Sequence, residues 1–382
     1  MAKYIFIILL VIGAKSYGQE QLNIADLDFL YQAIQKTPSY KDQLKNDDSY
    51  RRLYQDLRQN LKTDNDFEAY QKLAQLIYPV NDNHLGFYRN ADSTYKFQYL
   101  KPKIDSAAIE SKFKNYPVDS VEGIYTDYKG VNRYVVYKNE LNSYYLQNLK
   151  FGAVEAILHK SLKNNFDVIR FVRSPGSYVL LRNVKFTNSR LIGLGYQKTA
   201  EKNYSVLVES NGNFEYKEVA ENIGYLRLGS FSSSPANIKT ATDFFNDVKP
   251  KILTKNLIVD VRNNGGGGYK TSKQFINFLK GFNGNVYILQ NEYTVSNAEQ
   301  FIIQLRGRKN VKTLGATTKG TITYGSNYGN AVLLPSKRFS FYPTDMNGNK
   351  QELHFESLGI EPDILLDPVS ADWITQTIKL IK

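Results

Sequence analysis

The spacing of hydrophobic residues changes character along the chain and divides it into three parts. In the first part, Leu27, Leu30 and Ile34 share one face at intervals of three and four residues. Two further stripes with helical spacing follow at residues 53–61 and 67–77. Apolar residues at this spacing are typical of helices that bury one face. We therefore predict an N-terminal helical region over residues 19–115.

The second part has the period and composition of β-strands. Runs rich in tyrosine and valine lie at residues 134–137, 168–172, 178–181 and 191–196. Such residues favour strands, because their side chains pack well on a pleated surface. One segment, residues 152–162, is predicted as a helix among them. The pattern predicts a small β domain over residues 116–205.

The third part, residues 206–382, alternates strands and helices. Two apolar runs at 204–208 and 214–219 flank Asn211-Gly212, which predicts a β-hairpin. The segments after it predict strands at 223–228, 257–261, 286–289 and 311–314, and helices at 238–248, 272–279, 298–305 and 371–381. Strands that alternate with helices of this length build βαβ units. The fold class is therefore predicted to be α/β.

Composition narrows the class of protein. The 382-residue chain is 42% hydrophobic and 13% aromatic, which excludes a disordered protein. It contains no cysteine, which excludes disulfides, thiolate metal sites and cysteine nucleophiles. The net charge of +12 is scattered, with its densest cluster at residues 306–309. This pattern favours anionic envelope surfaces or acidic partners over a nucleic-acid groove, although a merely solvated basic surface explains it more simply than either.

The first eighteen residues have the organisation of a secretory signal peptide. Lys3 precedes an apolar run over residues 4–13, and Ser16 and Gly18 supply small residues before a cleavage point at Gln19. The run is too short for a membrane-spanning helix, and no other stretch is long enough. We expect cleavage after Gly18 and a periplasmic or secreted protein without an integral membrane segment. An uncleaved N-terminal anchor is the alternative.

Two strand ends carry the candidate chemistry. Residues 256–268 form a predicted strand that ends in four glycines, and residues 286–299 form another that leads through Ser296 into a helix. Ligands of open α/β sheets bind at the carboxyl ends of the strands. Glycines let N–H groups approach a negative atom, and the start of a helix is electropositive. Ser296 is thus a candidate nucleophile, with N–H groups of Gly266, Gly267 and Asn297 as an oxyanion hole; a simple helix cap is the alternative.

A serine nucleophile needs a base, and the chain has three histidines. His84 lies in a loop that ends the helical region, whereas His159 and His354 are interpreted as structural or surface residues. The histidines are too scattered for a metal site, and the phosphate-binding and dinucleotide-binding motifs are absent. The sequence therefore predicts no metal and no cofactor.

Four motifs resemble those of the tail-specific and C-terminal processing peptidases. They are Asp-Val-Arg-Asn-Asn-Gly-Gly-Gly at 260–267, Thr-Val-Ser-Asn-Ala-Glu at 294–299, Gly-Ala-Thr-Thr-Lys-Gly at 315–320 and Gly-Ile-Glu-Pro-Asp at 359–363. Asn297 replaces the usual alanine, and Ala316 replaces a usual glutamate. The resemblance implies a crotonase-like core with serine peptidase activity, preceded by the helical region and the inserted β domain.

The family has two catalytic arrangements. One branch uses a Ser–Lys dyad, but Thr321 stands where its lysine follows the third motif, and Lys319 lies two positions early. The tricorn-like branch uses serine, histidine and glutamate. The resemblance to that branch implies Ser296 as nucleophile, His84 as base and Glu356 as the residue that orients the base, with triad logic assigning the roles.

Two functions are therefore considered. The first is an exported serine endopeptidase that acts on peptides or unfolded proteins through an acyl-enzyme on Ser296. The second is a non-catalytic peptide-binding protein on a peptidase scaffold, with the β domain as its binding module. The sequence does not determine the oligomeric state or the preferred peptide.

Overall fold

A computed structural model of the chain describes residues 2–93, 95, 99–172, 177–210, 212–326 and 330–382, without the side chains of 2–17 and 106. The chain forms two compact units. The first combines residues 1–184 with 324–349, and the second combines 185–323 with 350–382. The domain boundaries predicted at residues 115 and 205 stay predictions.

The helices are α1 Ala2–Lys36, α2 Pro38–Gln43, α3 Asp48–Asn60, α4 Asp66–Ala74, α5 Ser106–Phe113, α6 Pro235–Val248, α7 Tyr269–Lys280, α8 Asn297–Leu305 and α9 Trp373–Ile381. Short 3-10 helices occupy Lys249–Lys251 and Lys350–Phe355. No helix in the described part of the chain is long and apolar enough to span a membrane.

The strands are β1 Gly86–Arg89, β2 Gly123–Asp127, β3 Arg133–Lys138, β4 Tyr144–Asn148, β5 Val154–Lys160, β6 Asn165–Val172, β7 Ser177–Thr187, β8 Arg190–Leu191, β9 Tyr196–Gln197, β10 Phe214–Ala220, β11 Ile223–Leu228, β12 Asn256–Asp260, β13 Asn285–Gln290, β14 Val311–Gly315, β15 Val332–Leu333, β16 Phe339–Tyr342 and β17 Ile364–Leu365. Helices and sheets are thus mixed throughout, and the predicted α/β class is confirmed.

The first unit packs the predicted N-terminal helices on a long antiparallel sheet. The strand order is β15-β16-β1-β7-β6-β5-β4-β3-β2. The helical stripes found in the sequence are the buried faces, with Leu27, Leu30 and Ile34 fully buried in one core. Within this core the ring of Tyr70 stacks on that of Phe87 with centroids 4.5 Å apart, and its hydroxyl donates to the Phe87 carbonyl. The aromatic content of the chain therefore supplies core volume.

One predicted helix is wrong. Residues 152–162 contain the strand β5, which pairs antiparallel with β4 and with β6. Glutamate, alanine and leucine in this segment favour a helix locally, but pairing on both sides satisfies the backbone and buries Ala156 and Leu158. Tertiary context overrides such weak local preference. His159 consequently lies on a strand, opposite Asp167.

The second unit contains the predicted α/β core. The strand order is β10-β11-β12-β13-β14-β17, with parallel pairing from β11 onward and an antiparallel β10 at one edge. Side chains of β12 alternate between two apolar clusters. Leu257 and Val259 pack with residues of α6, α7 and α8, whereas Ile258 packs with Trp373 of α9. A sheet covered on both faces is typical of parallel strands.

The hairpin predicted around Asn211-Gly212 is not formed as expected. Residues 204–208 are not a strand, and Asn211 lies outside the described residues. Instead β10 pairs with β11 across a turn in which Asn222 has φ 56°. The carbonyls of Tyr204 and Leu207 accept hydrogen bonds from the guanidinium of Arg262. Hydrogen bonds to the buried Arg262 thus take the place of strand pairing in residues 204–208.

Candidate active site

The loops that follow β12 and β13 are bonded directly to one another. The side chain of Asn291 accepts from the Asn263 N–H at 3.0 Å and donates to the Asn263 side chain at 2.7 Å. The Val295 N–H donates to the Asn264 carbonyl at 3.0 Å. Parallel strands end at the same edge of a sheet, so this contact follows from the topology. The glycine segment and the serine segment therefore lie side by side.

A buried ion-pair cluster supports the end of β12. The carboxylate of Asp260 accepts from Arg262 at 2.6 Å, from Arg227 at 3.2 Å and from the hydroxyl of Tyr225 at 2.9 Å. Burial alone raises the pKa of Asp260, but the two guanidinium groups outweigh it and hold the pKa below its usual value. Arg262 also lies over the ring of Trp373 in α9. The cluster fixes the point from which the glycine loop departs.

Gly266 lies directly against Ser296. A Cβ placed on Gly266 would lie 2.8 Å from the Cβ of Ser296 and 3.0 Å from the Asn297 nitrogen. Gly266 also has φ +82°, which side chains rarely adopt. Its own N–H donates to the side-chain oxygen of Asn264 at 2.9 Å. Glycine is therefore required here by conformation and by close approach to the serine.

Gly267 continues the loop beneath a neighbouring chain segment. Its φ is +136°, and a Cβ would collide with the carbonyl of Phe231. The next N–H, that of Gly268, donates to this carbonyl at 2.8 Å. The loop is therefore held by specific bonds on both sides rather than being a flexible turn.

Ser296 occupies the N-cap position of α8 in a strained backbone conformation. Its φ is 56° and its ψ is −120°, outside the regions that a serine normally occupies. Strain of about 1–3 kcal/mol persists where surrounding bonds enforce it, and such residues cluster at functional sites. Ser296 does occupy the helix-cap position that was the alternative interpretation. Ordinary N-cap residues have an extended backbone, however, and Ser296 does not.

Glu299 is the residue that holds Ser296 in this conformation. Its carboxylate is fully buried and accepts four hydrogen bonds. One comes from the Ser296 N–H at 2.9 Å. The others come from the loop after β14: the hydroxyl of Thr318 at 2.6 Å, and the N–H groups of Gly320 and Thr321 at 2.7 and 3.1 Å. Burial raises the pKa of Glu299, and the four bonds only partly oppose this rise.

The other end of the loop at 318–323 is hydrogen-bonded to Glu356. The N–H groups of Ile322 and Thr323 donate to one oxygen of Glu356 at 2.8 and 2.9 Å. The Ser357 N–H donates to the Gly320 carbonyl at 2.8 Å. Glu356 is itself buried. A continuous set of hydrogen bonds therefore runs from Ser296 through Glu299 and the loop at 318–323 to Glu356.

A buried lysine that sequence reasoning did not identify supports this loop. The Lys185 ammonium donates to the carbonyls of Thr318 at 2.6 Å and of Leu358 at 2.8 Å. Lys185 lies on β7 between the buried residues Val184 and Phe186. A lysine within an apolar strand was the available signal, but nothing in the sequence indicated its partners.

His84 lies in the first unit, in the loop between α4 and β1. The carboxylate of Asp82 accepts from the backbone N–H of His84 at 3.1 Å and from the hydroxyl of Thr344 at 2.6 Å. Burial lowers the pKa of His84 below its usual 6.5, although the charge of Asp82 opposes this. The imidazole is therefore biased toward its neutral form, which can accept a proton.

The other basic candidates are placed as follows. His159 lies on β5 of the first unit, where its ring packs near that of Tyr78. The ring of His354 contacts that of Phe355 in the second unit at an interplanar angle of 42°. The Lys319 N–H donates to the Thr294 carbonyl at 3.1 Å. Across the residues that the structure describes, no group of three or more histidine or acidic side chains is arranged to hold a metal ion.

Within the second unit the structure places Gly266 beside Ser296 and Asn297, with Gly267 next in the same loop. Glu356 is connected to Ser296 only indirectly, through Glu299 and the loop at 318–323. His84 belongs to the first unit, and its role as base stays a prediction. The sequence identified Glu299 as part of the motif at 294–299 but indicated no role for it. Its contacts could not be inferred, because three of its four donors are 19 to 22 residues further along the chain.

A family model agrees with the motifs at this site. Residues 222–281 and 268–366 match the model described as Peptidase family S41. The matched stretch contains β12, β13, α8, the loop at 318–323 and Glu356. No curated protein matches the chain.

Several solved structures are similar to this chain at low sequence identity. A lipoprotein from Streptococcus agalactiae is 20% identical over 44% of this chain and 70% of its own, with a TM-score of 0.32. A structure titled as a putative peptidase from Parabacteroides merdae is 18% identical over 94% and 96%, with a TM-score of 0.44. A photosystem II D1 C-terminal processing protease is 14% identical over 92% and 93%, with a TM-score of 0.41.

Proposed function

We propose that this chain is a member of peptidase family S41, whose model matches residues 222–366, and that it is an exported serine endopeptidase that cleaves peptides or unfolded proteins. Serine-type peptidase activity follows from the family match; export, the catalytic residues and the substrate class go beyond that match. The observation that carries the proposal is Ser296, strained at the start of α8 against Gly266 and held there by Glu299.

The reaction is acyl transfer in two stages. The Ser296 hydroxyl attacks the peptide carbonyl, its proton passes to the base, and the base protonates the departing amine. Water then attacks the acyl-enzyme and releases the acid. The negative oxygen of each tetrahedral intermediate needs preorganised N–H donors. Since the Gly266 N–H already donates to Asn264, we assign these donors first to Gly267 and Asn297, with Gly266 shaping the space beside Ser296.

His84 is proposed as the base and Glu356 as its orienting carboxylate. The lowered pKa of His84 supports this role, because a base must be unprotonated at the working pH. The bonds from Ile322 and Thr323 fix the position of the Glu356 carboxyl. Lys319 is the competing base of the Ser–Lys arrangement.

The export part of the proposal depends on residues 1–18 alone. Their charged start, apolar run and small residues before Gln19 are typical of a cleaved signal peptide. The mature protein would then act in the periplasm or outside the cell. The N-terminal sequence of the protein purified from its native host tests this, and a retained N-terminus would contradict it.

The activity is tested with Ser296→Ala, His84→Ala and Lys319→Ala, assayed on unfolded protein substrates. We expect Ser296→Ala to abolish hydrolysis, His84→Ala to be nearly as severe, and Lys319→Ala to be mild, with circular dichroism confirming that all three fold. Labelling of Ser296 by a serine-directed phosphonate should be lost with Ser296→Ala.

Two outcomes would overturn this assignment. Full loss with Lys319→Ala and little with His84→Ala would establish the Ser–Lys arrangement. Absence of both labelling and hydrolysis, with peptide binding retained, would establish a non-catalytic binding protein.

A further inference from the structure

Two neighbouring hairpin turns in the first unit expose apolar side chains at one end of the antiparallel sheet. Tyr128 and Val131, in the turn between β2 and β3, are 71% and 73% exposed. Phe151, in the turn between β4 and β5, is 61% exposed. Surface hydrophobic residues scattered singly need no explanation, but a clustered set indicates an interaction site.

The strand pairing places both turns at the same end. Thr126 of β2 pairs with Arg133 of β3, and the Leu149 N–H donates to the Arg133 carbonyl at 3.0 Å. The turns that precede β3 and follow β4 are therefore adjacent in the sheet. We call this end, with Tyr128, Val131 and Phe151 at its tips, the aromatic tip.

Both turns are held by hydrogen bonds from side chains to backbone N–H groups. The carboxylate of Asp127 accepts from the Val131 N–H at 2.9 Å, and the Gly130 N–H donates to the Asp127 carbonyl at 2.9 Å. In the other turn, the side-chain oxygen of Asn148 accepts from the N–H groups of Lys150 and Phe151 at 2.9 Å. Side-chain caps of this kind fix turns, so little conformational entropy would be lost on docking.

Lysines surround the aromatic tip. Lys129 and Lys150 are exposed beside the rings of Tyr128 and Phe151. Lys101 and Lys103 are also exposed, and the Pro102 carbonyl between them accepts from the side chain of Gln147, which also donates to the Gly152 carbonyl. The nearby acids have partners: Asp127 caps its own turn, and Glu110 pairs with Arg133 at 2.9 Å.

We propose that the aromatic tip docks the protein on an anionic membrane surface. Aromatic rings insert at the level of the lipid headgroups, and lysines beside them are attracted to anionic lipids. The exposed side chain of Val131 offers a nucleic acid neither a charge nor a ring. An acidic protein could bind the lysines without contacting the aromatic rings. Removal of Lys3 and Lys15 with the proposed signal peptide would leave a net charge of +10, which agrees with attraction to such a surface. This inference does not depend on the peptidase assignment.

The test is co-sedimentation of residues 19–382, which lack the apolar run at 4–13, with vesicles of phosphatidylethanolamine and phosphatidylglycerol, against vesicles of phosphatidylcholine. We expect binding to the anionic vesicles that weakens in high salt, because screening reduces attraction at the surface. The double variant Tyr128→Ser/Phe151→Ser should bind about tenfold or more weakly, since it removes the apolar area that inserts. Lys129→Gln/Lys150→Gln should weaken binding to anionic vesicles by about tenfold or more.

The opposite end of the same sheet provides the matched control. Leu141 and Leu162 are 79% and 50% exposed in the turns there, and neither turn segment, 139–143 or 161–164, contains an aromatic residue. Leu141→Ser/Leu162→Ser should bind vesicles like the unmodified chain. Equal loss from this variant, no binding to anionic vesicles at all, or capture only by another protein would overturn the proposal.

Discussion

Two buried carboxylates in the second unit, Asp260 and Glu299, are held in opposite ways. Asp260 is neutralised by two arginines, which hold its pKa down. The four groups that donate to Glu299 are uncharged, three backbone N–H groups and one hydroxyl, and burial leaves its pKa raised. The first arrangement fixes the base of the glycine loop by charge. The second connects Ser296 to the loop at 318–321 and leaves the carboxyl sensitive to protonation.

The difference separates stability from activity. Removing one member of a buried ion pair leaves its partners charged and unpaired, which destabilises the whole fold. Among the residues that the structure describes, the groups that donate to Glu299 are uncharged, and one of them is the backbone N–H of the proposed nucleophile. We therefore expect the Asp260 cluster to act mainly on folding and Glu299 mainly on catalysis.

Asp260→Ala should give the largest effect on stability. It leaves Arg262 and Arg227 buried without their carboxylate, at a cost of about 3–5 kcal/mol in the free energy of unfolding. Urea unfolding measures this cost. The exposed pair of Asp247 and Lys251 supplies the control, because Asp247→Ala should change stability by less than about 1 kcal/mol. Equal losses in the two variants would refute the structural role of the cluster.

Glu299→Gln should affect activity more than stability, the reverse of what we expect for Asp260→Ala. The amide keeps one acceptor but turns an NH2 group toward N–H donors, so the Ser296 backbone loses its fixed position. We expect a loss of about 100-fold in kcat/KM per folded molecule, as small displacements of reacting groups can produce. The loss of stability should be about 1–3 kcal/mol. Glu361→Gln, at an exposed position, is the control, and undiminished activity in Glu299→Gln would contradict the positioning role.

The two carboxyls should also give opposite pH dependence of stability. The pKa of Glu299 is raised above 4.5, so the folded chain binds more protons than the unfolded chain above that value, and stability falls as pH rises toward the folded pKa. The pKa of Asp260 is lowered below 3.8, so its contribution is present above that value and is lost on acidification. Unfolding curves at several pH values check this: Glu299→Gln should lose the decline above pH 4.5. A wild-type decline that persists in the variant would assign it to another group.

The sequence was informative where the local pattern and the tertiary structure agree. The strands expected at 257–261 and 286–289 are formed as β12 and β13, and the helix at 298–305 is formed as α8, because each is an apolar run bounded by polar loop residues. Their order along the chain was enough to place the glycine segment beside Ser296. Parallel pairing brings consecutive strand ends to one edge.

The errors arose where distant contacts decide. Residues 154–160 form a strand because β4 and β6 lie on either side of it, which local composition cannot reveal. Residues 204–208 are held by Arg262, more than 50 residues away, rather than by a ladder. Lys185 was missed for the same reason, since its partners, Thr318 and Leu358, are 133 and 173 residues distant.

Thr318→Val should give the smallest and most specific effect on Glu299. It removes one hydroxyl that donates to Glu299 and accepts from the Ile360 N–H. Loss of the hydrogen bond from the Ile360 N–H is independent of pH and should cost about 1 kcal/mol of stability. The hydrogen bond to Glu299 stabilises the ionised carboxylate, so its loss should lower stability further as pH rises above 4.5. Thr318→Ser keeps the hydroxyl and should match wild type. A deficit that does not change with pH would mean that the Thr318 hydroxyl supports only the backbone of the loop and leaves Glu299 unaffected.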